Sequence, residues 1–147
     1  MNKSILIWAC LIFLTSCGHT KRYKVLGKIA GVSDAMIYLK EMTTNDFILV
    51  DSFRINHSGE FQLKGENNKP AFYMLGLSNK NYMTLLIHPG EKIFVTAQAH
   101  DLTRSYTVTG SKDSELVKEL NDKINETLDK INELGKIYND SGYNNSK

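Results

Sequence analysis

Apolar and polar residues alternate along much of the chain between residues 23 and 109. In the first such segment Tyr23, Val25 and Ile29 fall on one side, and Lys24 and Lys28 fall on the other. A period of two is typical of a β-strand that is buried on one face. The pattern predicts eight short strands, at residues 23–29, 35–41, 47–55, 60–65, 71–77, 82–87, 92–97 and 106–109.

Short polar segments rich in Gly, Asn and Asp separate these strands. The segments Asn56–Gly59 and Ser78–Asn81 contain residues that tolerate tight turns, so each of them predicts a β-hairpin. His88-Pro89-Gly90-Glu91 predicts a further turn. Because no helical period intervenes between the strands, we expect a mainly β domain over residues 23–110, an antiparallel β-sandwich or barrel.

The period changes after Gly110. Ser111 is a favoured residue at a helix N-cap, and acids follow at Asp113 and Glu115, where the helix dipole stabilises them. Apolar residues then recur at steps of three and four in one stripe: Leu116, Val117, Leu120, Ile124, Leu128, Ile131, Leu134, Ile137 and Tyr138. The pattern predicts one amphipathic helix at 111–139, about 40 Å long, and a disordered polar tail at 140–147.

A helix of this length is too long to bury its whole stripe on a small β domain. One alternative is that the first half of the helix packs on the sheet and the remainder frays. The other is that the exposed half pairs with another helix or leads toward another domain. In the second case Leu120, Ile124, Ile131 and Leu134 form an interface, with a second copy of the chain as one partner.

Charge is distributed unevenly along the sequence. The first sixteen residues carry one charged side chain, Lys3, whereas the remainder carries all sixteen acids and all but one of the eighteen bases. A basic start followed by the apolar segment Ile5–Leu14 is typical of a secretory signal peptide. That segment is shorter than the roughly 20 residues that a membrane-spanning helix needs. Residues 1–16 are therefore predicted to be a signal peptide.

The segment Leu14-Thr15-Ser16-Cys17 resembles the lipobox of bacterial lipoproteins. The resemblance implies cleavage before Cys17, acylation of the Cys17 sulfur and acylation of the new amine. Residues 17–22 would then tether the folded domain to the cell envelope, at the periplasmic face of the outer membrane. The alternative is a secreted protein that is cut elsewhere and keeps Cys17 as an ordinary thiol.

The cysteine count limits the chemistry of the mature chain. Cys10 lies in the signal peptide and Cys17 would be acylated, so the mature domain has no free thiol. This excludes a disulfide framework and thiol catalysis. The mature net charge is +1, from seventeen bases and sixteen acids. We therefore expect no nucleic acid or other polyanion as a partner.

Short motifs follow one another in a fixed order along the predicted β domain. They are Gly27, Ile37–Leu39, Asp51-Ser52, Gly59–Phe61, Pro70–Tyr73, His88–Glu91, Gly110-Ser111 and Ser114–Leu116. Over about residues 23–120 this set resembles the lipid-anchored, β-rich N-terminal domains of unknown function that often precede a thioredoxin-like thiol-disulfide reductase domain. The resemblance implies that the helix leads into a domain with a Cys-x-x-Cys pair.

The chain departs from that pattern after the helix begins. No cysteine follows Gly110. The resemblance therefore implies an anchor and a β domain alone, without the disulfide chemistry of the two-domain relatives. It also implies a thioredoxin-like protein as a second candidate partner for the helix.

Asp51 is the most unusual polar residue of the predicted strands. Strict alternation places it on the same face as Leu49, Phe53 and Ile55. We expect either a β-bulge or a strand-end position where backbone amides donate to the carboxylate, rather than a catalytic acid.

Other catalytic and metal-binding patterns are missing from the sequence. His19, His57, His88 and His100 lack metal-ligand spacing. No Gly-x-Ser-x-Gly or Gly-x-x-x-x-Gly-Lys motif occurs. We expect no catalytic residues, no metal and no cofactor, and a protein that is not an enzyme.

Aromatic residues of the later strands are the best candidates for recognition. Residues 71–77 are apolar on both faces, so one face fills the core and the other needs a cover. That cover is the helix, a second sheet or a partner. The candidate binding surface consists of Phe72, Tyr73, Met74, Tyr82 and Phe94.

Three functional hypotheses follow. The favoured one is a non-enzymatic, membrane-tethered envelope module for binding or assembly. The second is a truncated thioredoxin-like reductase that lacks its catalytic domain. The third is an envelope module that binds glycans or peptides through its aromatic residues.

Overall fold

A computed structural model describes residues 21–140, and these residues form eight strands and two helices. The elements are β1 (Arg22–Ala30), β2 (Met36–Met42), β3 (Phe47–Arg54), β4 (Glu60–Glu66), β5 (Ala71–Ser78), β6 (Asn81–Ile87), β7 (Lys92–Gln98), α1 (Leu102–Ser105), β8 (Thr107–Thr109) and α2 (Lys112–Asp140). The prediction of eight strands followed by one long helix is confirmed. The predicted signal peptide, Cys17 and the tail at 141–147 lie outside the described residues.

The strands form two four-stranded sheets that face each other. Sheet A has the order β4-β1-β7-β8, and sheet B has the order β3-β2-β5-β6. Neighbouring strands are antiparallel except β1 and β7, which are parallel. The predicted sandwich is confirmed, but the parallel pairing of β1 with β7 differs from the all-antiparallel arrangement that was expected. Alternation cannot reveal it, because parallel and antiparallel strands share the same side-chain period.

The core lies between the inner faces of the two sheets. Tyr23, Val25 and Ile29 of β1 project into it, as the period of two predicts. Gly27 occupies the inner position between them because no side chain fits there. A Cβ atom at Gly27 would lie 2.3 Å from the Val95 carbonyl oxygen and 2.6 Å from the Phe61 ring.

The predicted hairpin at residues 56–59 is wrong, although the turn itself forms. Gly59 has φ +81°, and the Asn56 side chain accepts hydrogen bonds from the backbone amides of Ser58 (3.1 Å) and Glu60 (2.8 Å). However, β3 belongs to sheet B and β4 pairs with β1 in sheet A. The turn therefore carries the chain from one sheet to the other. The second predicted hairpin is confirmed, since β5 pairs with β6.

Asp51 lies just after a register shift between β2 and β3, where Leu39 faces Asp51 and Lys40 faces Leu49. Its carboxylate accepts the backbone amides of Ser52 and of Lys64 on β4, each at 2.8 Å. The bulge and the backbone-amide role expected from the sequence are therefore both present. Asp46 acts in the same way at the start of β3, where it accepts the amide of Phe47 at 2.7 Å.

The short helix α1 was not predicted. Asp101 caps it by accepting the amide of Arg104 at 3.1 Å, and Leu102 is buried in the core. Asp followed by an apolar residue is a weak signal for one helical turn, too short to produce a helical period. From α1 the chain enters β8 and then α2, which contacts both β6 and β8. The two helices therefore lie where the edges of the two sheets meet.

Two Gly to Ala changes test this packing in opposite directions. Gly27→Ala should destabilise the protein by about 1–3 kcal/mol, since the added methyl group overpacks the core. Gly135→Ala meets nothing within 4 Å in the middle of an exposed helix. It should leave stability unchanged or raise it by up to about 1 kcal/mol. Urea unfolding of both variants measures the difference, and equal effects would contradict the close packing at Gly27.

Candidate interaction surfaces

Two buried serines attach the start of α2 to the free edge of β6. The Leu86 amide donates to Ser114 Oγ at 3.1 Å, and Ser114 Oγ donates to the Leu86 carbonyl at 2.8 Å. Ser111 Oγ donates to the same carbonyl at 3.2 Å and accepts the Ser114 amide at 3.4 Å, as expected of an N-cap. Ser114 therefore takes the place of a neighbouring strand at this edge.

Polar contacts continue along the same side of α2. His88 Nε2 lies 2.6 Å from Asp113 Oδ2, at the turn that leads from β6 into β7. Further along, the Asn121 amide donates to the Tyr106 hydroxyl at 3.3 Å, and that hydroxyl donates to the Thr84 carbonyl at 3.3 Å. Burial raises the pKa of Tyr106, and the hydrogen bond from Asn121 opposes this rise.

A bidentate ion pair attaches α2 to the β domain near the middle of the helix. The Arg104 guanidinium contacts the two oxygens of Asp129 at 2.7 and 3.0 Å. The hydrogen bond from Arg104 lowers the pKa of the Asp129 carboxyl. Beyond Asp129 the described side chains of α2 are exposed through Asn139. About 16 Å of helix therefore extends past the last of these contacts.

Most of the apolar stripe of α2 faces away from the β domain. Leu116 is 53% exposed and Leu120 is 58% exposed, although both lie in the half of the helix that contacts the sandwich. The first half of α2 does pack against β6 and β8, as the first alternative expects. The docked side is mainly polar, however, and it carries Ser114, Asn121 and Asp129, with Val117 half-buried beside them. Seven aliphatic side chains of the stripe are 47–64% exposed: Leu116, Leu120, Ile124, Leu128, Ile131, Leu134 and Ile137.

The structure separates the five residues of the predicted binding surface. Tyr73 lies in the core, because alternation along β5 turns it inward. Phe72 and Met74 lie on the outer face of sheet B, and Phe94 lies on the outer face of sheet A. Tyr82 shares the outer face of sheet B with Phe72 and Met74, and it also lines a cavity beside α2 together with Ile124. Three of the five residues therefore share one face, whereas Tyr73 and Phe94 lie apart from them.

Met74 is the best shielded residue of the outer face of sheet B. It is only 3% exposed, yet it is not part of the core between the sheets. It lines a shallow cavity of about 370 Å³ together with Tyr38 and Lys40 of β2 and Phe47 and Leu49 of β3. The second face of β5 is thus covered in part by its own sheet, and α2 does not reach it.

Tyr23 and Tyr73 form an aromatic pair inside the sandwich. Their ring centroids are 5.2 Å apart in an edge-to-face arrangement. Burial raises the pKa of both hydroxyl groups. Gly65 permits the pair, since a Cβ atom there would lie 2.1 Å from the Tyr23 hydroxyl oxygen. The pair has a packing role rather than the recognition role predicted for Tyr73.

The pair lies near the point where the chain enters the sandwich, which we call the entry end. Asn67 links three segments there. Its backbone amide donates to the Lys21 carbonyl at 3.0 Å, and its side-chain amide donates to the Ile87 carbonyl at 2.9 Å. Because α2 begins beside Leu86, the helix starts at the entry end and runs away from it toward Arg104.

Histidine and acidic side chains form no group that could hold a metal ion within residues 21–140. His88, in the predicted turn at residues 88–91, is part-buried and pairs with Asp113. Over the same residues, neither helix has the length and apolarity needed to cross a bilayer.

A family model described as "Domain of unknown function (DUF4369)" matches residues 23–117, about two thirds of the chain. The match covers the whole sandwich and ends within the first two turns of α2. Of the seven exposed aliphatic residues of the stripe, only Leu116 lies inside the matched range. No curated protein matches the sequence.

Removal of one hydroxyl group tests the attachment of α2. Ser114→Ala leaves the buried amide and carbonyl of Leu86 without that partner, so the free energy of unfolding should fall by about 1–3 kcal/mol. Hydrogen exchange at the Leu86 amide should accelerate in parallel. Ser52→Ala, on the exposed part of β3, is the matched control and should change stability by less than about 0.5 kcal/mol. Similar values for both variants would show that Ser114 does not hold the helix.

Proposed function

The chain belongs to the DUF4369 family of domains of unknown function, and from this premise we propose that it is a non-enzymatic, lipid-tethered module of the cell envelope that assembles through α2. Cys17 carries the anchor, the sandwich is the scaffold, and the apolar stripe is the contact surface. The partner is a second copy of the chain. The observation that carries the proposal is the exposure of seven aliphatic side chains on a helix that is fixed by its opposite, polar side.

The size of the stripe supports a stable interface. Single exposed apolar residues are common on protein surfaces, but large continuous apolar patches mark interaction sites. Seven aliphatic side chains, each about half exposed, offer on the order of 700 Å² per chain, close to the roughly 800 Å² that each partner buries in a standard interface.

The spacing of the stripe supports a two-stranded coiled coil. In one heptad frame, the a positions hold Val117, Ile124, Ile131 and Tyr138, and Leu120 and Leu134 occupy d positions. β-Branched residues at a with Leu at d favour parallel dimers. Thr127 takes the remaining d position, and its hydroxyl donates to the Lys123 carbonyl of its own helix at 2.8 Å. Its polar group is thus satisfied without a partner helix.

The direction of α2 also favours a parallel pair. The helix starts at the entry end and runs away from it. Two copies anchored through Cys17 in one bilayer would hold their entry ends toward the same membrane surface. Their helices would then point the same way, with identical positions side by side.

Absence of thiol chemistry is part of the same proposal. With Cys17 acylated and Cys10 removed, residues 17–147 contain no free thiol. The sequence resemblance implies relatives in which the corresponding helix leads to a thioredoxin-like domain. We propose that in this chain the helix pairs with a copy of itself.

Mass spectrometry tests the anchor. Protein isolated from the membrane fraction should begin at Cys17 and carry two or three acyl chains on that residue. Cys17→Ser should lack the acyl mass and retain residues 1–16. An unmodified Cys17 thiol in the isolated protein would contradict the anchor.

Two charges placed in the stripe test the helix pair. Ile124→Asp with Ile131→Asp puts carboxylates at two successive a positions, where burial without a partner is costly. The full chain should sediment as a dimer in mild detergent, and the double variant should sediment as a monomer with an unchanged β signal in circular dichroism. Asn132→Asp with Lys136→Asp, on the outer side of the same helix turns, is the control and should remain dimeric.

Cross-linking distinguishes the direction of the pair. Leu120→Cys should oxidise to a disulfide-linked dimer, since position 120 faces its own copy in a parallel pair. Cross-links that require Leu120→Cys on one chain and Ile131→Cys on the other would indicate an antiparallel pair. A monomeric wild-type chain, or a dimer that persists in the double Asp variant, would overturn the proposal.

A further inference from the structure

Three lysines stand side by side on the outer face of sheet A. In the strand register Lys24 of β1 lies opposite Lys64 of β4 on one side and opposite Lys92 of β7 on the other. All three side chains are exposed. Residues directly opposite on neighbouring strands have Cβ atoms about 4.5–5.5 Å apart, and like charges at that spacing destabilise a sheet. We call these residues the lysine row.

Neighbouring carboxylates form no ion pair with the lysine row. Within residues 21–140 none of the three amines lies in an ion pair. The nearby acids contact other groups instead. Glu66 pairs with Arg22 at 3.9 Å, Glu91 accepts the His88 amide at 2.8 Å, and Asp51 accepts the amides of Ser52 and Lys64.

The surroundings of the row keep its charges together. Lys92 Nζ lies 5.0 Å from the centroid of the Phe94 ring, a cation–π contact that holds the ammonium near the sheet. Lys28, four residues beyond Lys24 on the same face, lies opposite the acidic Glu60 rather than another lysine. Directly opposed like charges on this face thus occur near the start of β1.

That position is close to the anchor of the proposed function. Lys24 is the third residue of β1, and Lys92 is the first residue of β7. Arg22 is the fifth residue after Cys17, and an extended chain spans at most about 3.6 Å per residue. An acylated Cys17 would therefore hold the entry end within roughly 20 Å of the lipid headgroups.

We infer that the lysine row is a membrane-contact surface that binds the phosphate groups of anionic phospholipids in the bilayer that holds the anchor. The inference rests on the proposed lipid anchor, and it explains why like charges are adjacent on an otherwise nearly neutral protein. Flexible lysines attract lipid phosphates mainly as point charges. The contact would orient the sandwich with its entry end toward the membrane, and α2 would point away from the surface.

Amine labelling of the full chain in lipid vesicles tests the inference. One set of vesicles contains phosphatidylcholine only, and the other contains roughly a third phosphatidylglycerol. Labelling of Lys24, Lys64 and Lys92 should be about threefold slower or more in the anionic vesicles, and should recover near 1 M salt, where screening is strong. Lys80 and Lys136, elsewhere on the protein, should be labelled equally in both. Equal labelling of the lysine row in both would overturn the inference.

One variant and one soluble anion sharpen the test. Lys64→Gln should reduce the lipid-dependent protection of Lys24 and Lys92 about twofold, whereas Lys80→Gln, with the same loss of charge, should not change it. Protection of the row by inorganic phosphate in neutral vesicles, equal to that by anionic lipid, would assign the site to free phosphate and overturn the membrane contact. Failure of the chain to float with neutral vesicles would contradict the anchor, whereas flotation without lipid-dependent protection would contradict the lysine row alone.

Discussion

The hydrogen bonds between Ser114 and Leu86 determine how the rest of the molecule is arranged. An edge strand exposes a row of backbone amides and carbonyls. Without α2, the edge strand β6 would expose these groups beside the hydrophobic core. Ser114 satisfies both groups of Leu86 with one hydroxyl, at 3.1 and 2.8 Å. Because a small polar residue makes this contact, the helix approaches the sandwich through its polar side. The apolar stripe is consequently turned outward, where the β domain cannot cover it.

Sequence patterns predicted most of the fold but little of how its parts face one another. A period of two located all eight strands, and a period of three to four located α2, because both reflect which side chains avoid water. Neither pattern indicates which part of the molecule covers an apolar face. The sequence therefore predicts the apolar stripe of α2 but not whether that stripe is buried or exposed. The parallel β1–β7 pair and the crossing from β3 to β4 depend on long-range pairing, which local alternation does not encode.

For the candidate sites, too, the sequence predicts local features but not which parts of the chain face one another. For Tyr73 the sequence predicts a surface position because β5 is apolar on both faces, and only the register shows which face is inside. For Asp51 the sequence predicts the correct environment, since a carboxylate among apolar positions has few satisfactory environments and backbone amides are one of them. The lysine row could not be predicted, because its residues are far apart in the sequence and the net charge of the chain is close to zero. Strand register alone brings Lys64, Lys24 and Lys92 together.

The carboxylates along β3 have a consequence for how copies of the protein can meet. β3 is an edge strand, and Phe47, Ile48 and Leu49 are about half exposed on it, which is the composition of a strand that invites others to add to it. Asp46 and Asp51 occupy the amides of Phe47 and Ser52 with their own side chains. Each such contact removes a donor that an incoming strand would need, and it adds a negative charge at the edge. Open-ended growth of sheet B into a fibril is thereby obstructed, while association that ends at two chains through a helix is left open.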